Sequence, residues 1–168
     1  MAKSILLLCI MLLSVPSFAA EVDRVLVFKA QRQMILVDQD DNIIKRYRIA
    51  LGDNPIGHKT TEGDEKTPEG SYTLDWVNEN SSYYRSFHIS YPNKADRAQA
   101  KKRGVSPGGA IFIHGLPNRV EDWPVPEWAY AAHVMYDWTN GCIAVTNKEM
   151  DEIIDLVHVG TEIYITGY

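Results

Sequence analysis

The chain has 168 residues, 45% of them hydrophobic, and 17 Lys and Arg stand against 22 Asp and Glu for a formal net charge of −5. That acidity argues against nucleic acid or an anionic membrane surface as the main partner. The first residues read as an export signal: Lys3, the apolar run from Ile5 to Leu13, Pro16, and small side chains at Ser17 and Ala19. The run is too short to span a bilayer. Cys9 within it follows Leu8, where lipid attachment would need a small residue, so no membrane anchor is expected after cleavage. The expected division is a signal peptide over 1–19 and one domain over 20–168, long enough for a proper core.

The remaining chain has mostly strand periodicity. Arg24 to Lys29 alternates around Val25, Val27 and Lys29, and Met34 to Val37 is a second short apolar run. The turn cluster from Asp38 to Asn42 leads to a third strand over Ile43 to Leu51, a β-meander. Ser71 to Val77 follows, with Tyr72, Leu74 and Trp76 expected on one face. Further strands are read at Phe87 to Ser90, Ala110 to His114, Cys142 to Val145 and Glu162 to Thr166. Two helices are predicted. Lys94 to Arg103 is polar and suits a surface helix. Thr146 and Glu149 form a capping box ahead of the stripe Met150, Ile153, Ile154 and Val157. The fold class is therefore mostly β, with two short helices.

Two loops carry unusual content. Residues 52–70 hold four glycines, two prolines and His58, and residues 116–140 hold Trp123, Trp128 and Trp138 with Pro117, Pro124, Pro126 and His133. Long Trp- and Pro-rich loops commonly form binding surfaces, although a flap over a sheet edge is the plainer alternative. The second loop is expected to wall or lid the site. Its three tryptophans, Trp123, Trp128 and Trp138, offer apolar contact, and Glu121, Asp122 and Glu127 could receive an amine.

With residues 1–19 removed, Cys142 is the only cysteine, so no internal disulfide can form. It lies in Thr139-Asn140-Gly141-Cys142-Ile143, a turn that favours an accessible nucleophile over an inert thiol. A cysteine nucleophile needs a base within hydrogen-bond reach. His114, at the end of the apolar run 110–113 and before Gly115, is the first candidate, and His133 the second. His88 reads as a strand-face residue and His158 as a helix-end residue. A thiolate populated well below the usual thiol range is expected at Cys142.

Ile111-Phe112-Ile113-His114-Gly115, Thr139-Asn140-Gly141-Cys142-Ile143 and Asn147 together resemble the signature of the YkuD-type L,D-transpeptidases. Ile49-Ala50-Leu51-Gly52, Lys66-Thr67-Pro68-Glu69-Gly70, Ser90-Tyr91-Pro92-Asn93 and Pro107-Gly108-Gly109 extend the resemblance over nearly the whole domain. It implies a mixed β-sandwich in the periplasm that attacks the diaminopimelate–D-alanine bond of peptidoglycan stem peptides through a Cys142 thioester, without cofactor or metal. His114 would be the base and the Gly115 carbonyl its orienting group. The amides of Asn140, Gly141 and Cys142 would form the oxyanion hole, and Trp123, Trp138, Thr139 and Arg119 would contact substrate.

Three departures stand out. Asn140 replaces a frequent His, Ala144 replaces a frequent Arg, and the interval from His114 to Cys142 is long. An absent Arg removes a bidentate carboxylate clamp. Lys59, Arg85, Lys101, Lys102, Arg103 or Arg119 could replace its charge. Transpeptidation, carboxypeptidation, and cleavage or formation of an outer-membrane lipoprotein link all remain open. So do a zinc hydrolase built on His114, His133 and Cys142, and a non-catalytic wall-binding module.

Overall fold

The computed structural model describes residues 21–120, 124 and 126–167. The export-signal reading, Glu121, Asp122 and Trp123 lie outside the described residues. Eight strands form: β1 (Arg24–Phe28), β2 (Gln33–Val37), β3 (Ile43–Arg48), β4 (Gly70–Asn78), β5 (Ser86–Ile89), β6 (Ile111–His114), β7 (Ile143–Ala144) and β8 (Glu162–Thr166). Their order is β3-β2-β1-β8-β4-β5-β6-β7. Pairs β1–β8 and β6–β7 are parallel and the other neighbours antiparallel. The sheet curls until its ends meet: Ala50, just past β3, bridges Ala144 in β7, and Gly52 bridges Thr139. The curl closes on one core that includes Val25, Leu36, Ile49, Leu74, Ile89, Ile113, Ile143 and Ile163.

Helix α1 (Lys94–Arg103) begins at Asn93, whose side chain accepts from the Ala95 and Asp96 amides, and ends at left-handed Gly104. Helix α3 (Asn147–Leu156) starts with the expected box: the Thr146 hydroxyl accepts from Glu149 N, and Glu149 Oε2 accepts from Thr146 N at 2.9 Å. Its Met150 and Ile153 are fully buried. Between them the structure adds α2 (Glu127–Ala131) and a 3-10 turn (Ala132–Met135). The sequence reads as loop there because α2 is too short to show a period and Pro126 at its cap offers no side-chain acceptor.

One expected face is broken. Tyr72 and Leu74 are buried at 4% and 0% exposure, but Trp76 is 44% exposed. The register runs Leu74↔Ile89 and then Trp76↔His88, so Asp75 is an extra residue on β4. That bulge turns the strand over and sends Trp76 to the opposite face.

The loop 52–70 is braced against the core. Lys29, fully buried, donates to the carbonyls of Gly57 and Thr67 at 2.8 and 2.9 Å and to Glu69 Oε1 at 2.9 Å. The Thr67 hydroxyl accepts from Gly52 N at 3.1 Å. Thus the loop is fastened to the core at one side and to the β3–β7 closure at the other. Thr146→Ala should remove the α3 cap and lower the unfolding free energy by about 1 kcal/mol in urea titration. An unchanged midpoint would show that the helix needs no cap.

Candidate active site

Cys142 precedes β7 and faces β6. In the parallel register Ile113↔Ile143 and His114↔Ala144, Cys142 falls opposite Phe112. Phe112 N lies 3.4 Å from Cys142 Sγ, and Sγ is 3.6 Å from the Ala110 carbonyl. Alternation along β6 puts Phe112 and His114 on the same face. His114 and Cys142 therefore line one cavity of about 380 Å³, together with Asn78, Tyr83, Ser86 and Trp138. No residue of the 52–70 loop lines it.

The turn before Cys142 is built by Thr139. Its hydroxyl donates to the Cys142 carbonyl at 2.7 Å and accepts from Gly141 N at 3.1 Å. Thr139 therefore borders the cavity with its hydroxyl already engaged, and it braces the nucleophile's turn. Gly141 has φ +121°, and a Cβ there would stand 2.6 Å from the Lys66 carbonyl of the brace loop. Only glycine fits. The Gly141 amide, expected in the oxyanion hole, is consumed inside the turn. The amides of Asn140 and Cys142 donate to no group among the described residues.

His114 is buried at 4% exposure, and its Nδ1 lies 2.7 Å from the Gly115 carbonyl. A carbonyl can only accept, so Nδ1 carries the proton and Nε2 keeps its lone pair. Gly115 is itself held. Asn147 Oδ1 accepts from Leu116 N at 2.8 Å, and a Cβ on Gly115 would meet that oxygen at 2.4 Å. Two aromatic rings cover the imidazole: Tyr83 at 4.6 Å and Trp138 at 5.7 Å between centroids. Tyr83 had no sequence signal, since it sits in a polar, aperiodic stretch. Its loop is pinned by Asn118, which accepts from Tyr84 N at 2.6 Å and donates to the Ser81 carbonyl at 2.8 Å.

Trp138 is a wall of the cavity, as expected of the 116–140 segment. Trp128 is not, being 72% exposed. Asp137 fixes the segment's end by accepting from Arg32 and, at 3.0 Å, from Leu51 N. His133 does not line the thiol cavity. It lies beyond Trp138, 5.9 Å between ring centroids, in a separate space of about 450 Å³ shared with Leu116, Tyr130 and Tyr136. Neither ring nitrogen makes a well-formed hydrogen bond. Among the described residues no three His, Cys, Asp or Glu side chains converge as metal ligands.

Ala144, which stands where an Arg clamp is frequent, is fully buried and paired on both sides, to His114 and to Ala50. Of the alternative cations, Arg85 is committed to Glu79 and Asp151, and Arg103 bonds the Thr60 carbonyl. Lys59 is buried and paired with Asp64 at 2.9 Å. Arg119 is exposed beside Ser82 and Tyr83 at the rim.

Burial sets the charge state. Desolvation pushes the Cys142 thiol up from its ordinary value, opposed weakly by the Phe112 amide and the Lys59 charge. Desolvation also pushes His114 down to about 4, against the Gly115 hydrogen bond. Burial thus favours the neutral form of both groups, opposite in direction to the low-pKa thiolate expected from the sequence.

The arrangement is a thiol–imidazole site on a curled mixed sheet, with free amides beside the sulfur. The chain belongs to the YkuD family, the L,D-transpeptidase catalytic domain, whose model matches residues 22–165. It is 27% identical over 136 residues to YafK of Escherichia coli strain K12, itself only a candidate L,D-transpeptidase, covering 78% of this chain and 45% of YafK. The crystal structure of Pgp2, a helical cell shape determining protein of Campylobacter jejuni, matches with TM-score 0.64 and 26% identity. That match covers 89% of this chain and 49% of Pgp2. Bd1075 of Bdellovibrio bacteriovorus shares the fold at TM-score 0.59 and 24% identity, with 89% and 49% covered. The chain thus spans about half the length of these relatives.

Two measurements check the charge states. Alkylation of Cys142 at neutral pH should be slower than that of a free cysteine and should rise only above the ordinary thiol range. A thiolate titrating below that range would overturn the neutral pair. For stability, the unfolded His114 ring takes up a proton below about pH 6.5, whereas the folded ring resists until about 4. Stability is complete above the first value and is lost as pH falls toward the second, by roughly 3 kcal/mol at most for this residue. A urea midpoint unchanged over that interval would contradict it.

Proposed function

We propose that this domain is a cysteine acyltransferase of the periplasm that acts on diaminopimelate-containing peptidoglycan stem peptides. One observation carries the reading: Nδ1 of His114 is committed to the Gly115 carbonyl, which leaves Nε2 as a base in the cavity that holds Cys142 Sγ. Family membership supplies the chemistry class.

In this reading Cys142 attacks the carbonyl between diaminopimelate and D-alanine while His114 Nε2 takes the thiol proton. Because both groups rest neutral, the proton moves as the sulfur bonds, and the imidazolium then protonates the departing amine. The developing oxyanion is received by the free amides of Asn140 and Cys142, a contribution on the order of 3 kcal/mol per donor. Gly141 leaves room for the carbonyl to approach. An incoming amine or water, deprotonated by His114, releases the acyl group and restores the thiol. Trp138 and Tyr83 exclude water and flank the substrate. Arg119 at the rim supplies a cation for a carboxylate. A periplasmic location accords with the export-signal reading, and no helix among the described residues is long and apolar enough to cross a membrane.

Mass analysis of muropeptides incubated with the protein tests the reading. A dimer joined through two diaminopimelates means peptide transfer, a tripeptide product means carboxypeptidation, and a freed lipoprotein means link cleavage. Cys142→Ala should abolish every product. His114→Gln should lower turnover by at least about a hundredfold, whereas His133→Gln should weaken it only modestly. Loss at 133 with activity kept at 114 would reverse the assignment, and full turnover by Cys142→Ala would end it.

A further inference from the structure

The thiol does not stand alone on its face of the sheet. Trp76 pairs with His88, His88 with Phe112, and Phe112 lies opposite Cys142, one residue from each of β4, β5, β6 and the start of β7. The rings touch along this row. Trp76 stacks on His88 at 5.2 Å with planes 24° apart, and both rings meet Phe112 edge-on, Trp76 at 5.4 Å and His88 at 4.9 Å. Phe112 also lines the thiol cavity. The three rings therefore form one aromatic cluster beside the nucleophile, with an exposed tryptophan at its outer edge.

Trp76 reaches this face only because of the bulge at Asp75, which costs a ladder position and removes a large apolar side chain from the core face. The same bulge brings Asp75 to His88, whose Nδ1 lies 2.6 Å from Asp75 Oδ1. The carboxylate accepts from the His88 ring, and Asp75 Oδ2 bonds nothing among the described residues. A flat apolar ring flanked by hydroxyl acceptors is the chemistry that receives a sugar, whose C–H face stacks while its hydroxyls donate.

Distance agrees. Strands lie about 4.8 Å apart, so three steps place the Trp76 backbone about 14 Å from that of Cys142, and its ring leans back to 5.4 Å from the Phe112 ring. A three-residue stem in extended form spans about 10 Å before its linkage to the glycan is counted.

We propose that Trp76, with His88 and Asp75 beside it, is a platform for a pyranose ring of the glycan strand that carries the stem peptide. The stem would lie along the Phe112 row with its scissile carbonyl at Cys142. This inference rests on the peptidoglycan reading above and adds that the sugar is part of the substrate.

Calorimetric binding to the Cys142→Ala protein, which holds substrate uncleaved, tests it with a disaccharide-tetrapeptide and the same tetrapeptide without sugars. The disaccharide form should bind on the order of tenfold more tightly. That gap should close in Trp76→Ala, and in Trp76→Leu, which keeps apolar bulk without a flat face should the alanine variant fail to fold. Equal affinity, absence of binding, or a gap that survives Trp76→Leu overturns the proposal. Because binding is scored on inactive protein, its failure is separate from failure of wild type to release product, which would instead sink the functional reading.

Discussion

The site depends on a two-residue strand. β7 carries only Ile143 and Ala144, yet it is clamped between β6 on one side and Ala50 on the other. Ala144 N donates to the Ala50 carbonyl at 2.9 Å, and Val145 N donates to the His114 carbonyl at 2.9 Å. A strand this short has little pairing energy of its own, so it exists because the curled sheet offers partners on both edges. Without that clamp nothing would bring Cys142 beside a histidine twenty-eight positions earlier.

Everything around the clamp serves to hold it. Lys29, a fully buried cation, gathers the carbonyls of the 52–70 loop, and that loop presses its Lys66 carbonyl against Gly141. Arg32 and Asp137 hold the opposite end, where the 116–140 segment returns to Leu51. Burying Lys29 lowers its pKa through desolvation, a cost offset by its contacts to Glu69 and two carbonyls. Asn147 ties the α3 N-terminus to the turn that orients His114.

Tight packing also decides the chemistry available. A covered imidazole and a covered thiol both favour their neutral forms, so the pair gains nothing from a standing ion pair. What the packing does fix is geometry: the Gly115 carbonyl holds the His114 ring in one tautomer.

The sequence alone determined much of this. The strands, the α3 capping box, Cys142 in a Gly turn and His114 at the end of an apolar run are local patterns, and the ordered motifs around them carry the family. These features depend on neighbours a few residues away, which is why they are legible. Other features belong to pairings distant in sequence. The bulge at Asp75 shows only in the register with β5, so strand alternation alone places Trp76 on the core face, where it does not lie. Tyr83 covers His114 because Asn118, on another loop, pins its backbone. The Gly141 amide is spent on Thr139, and the thiol is raised rather than lowered, because burial is a property of everything packed around a group. Tertiary structure decided those points, since desolvation and register are sums over contacts that no local stretch of chain contains.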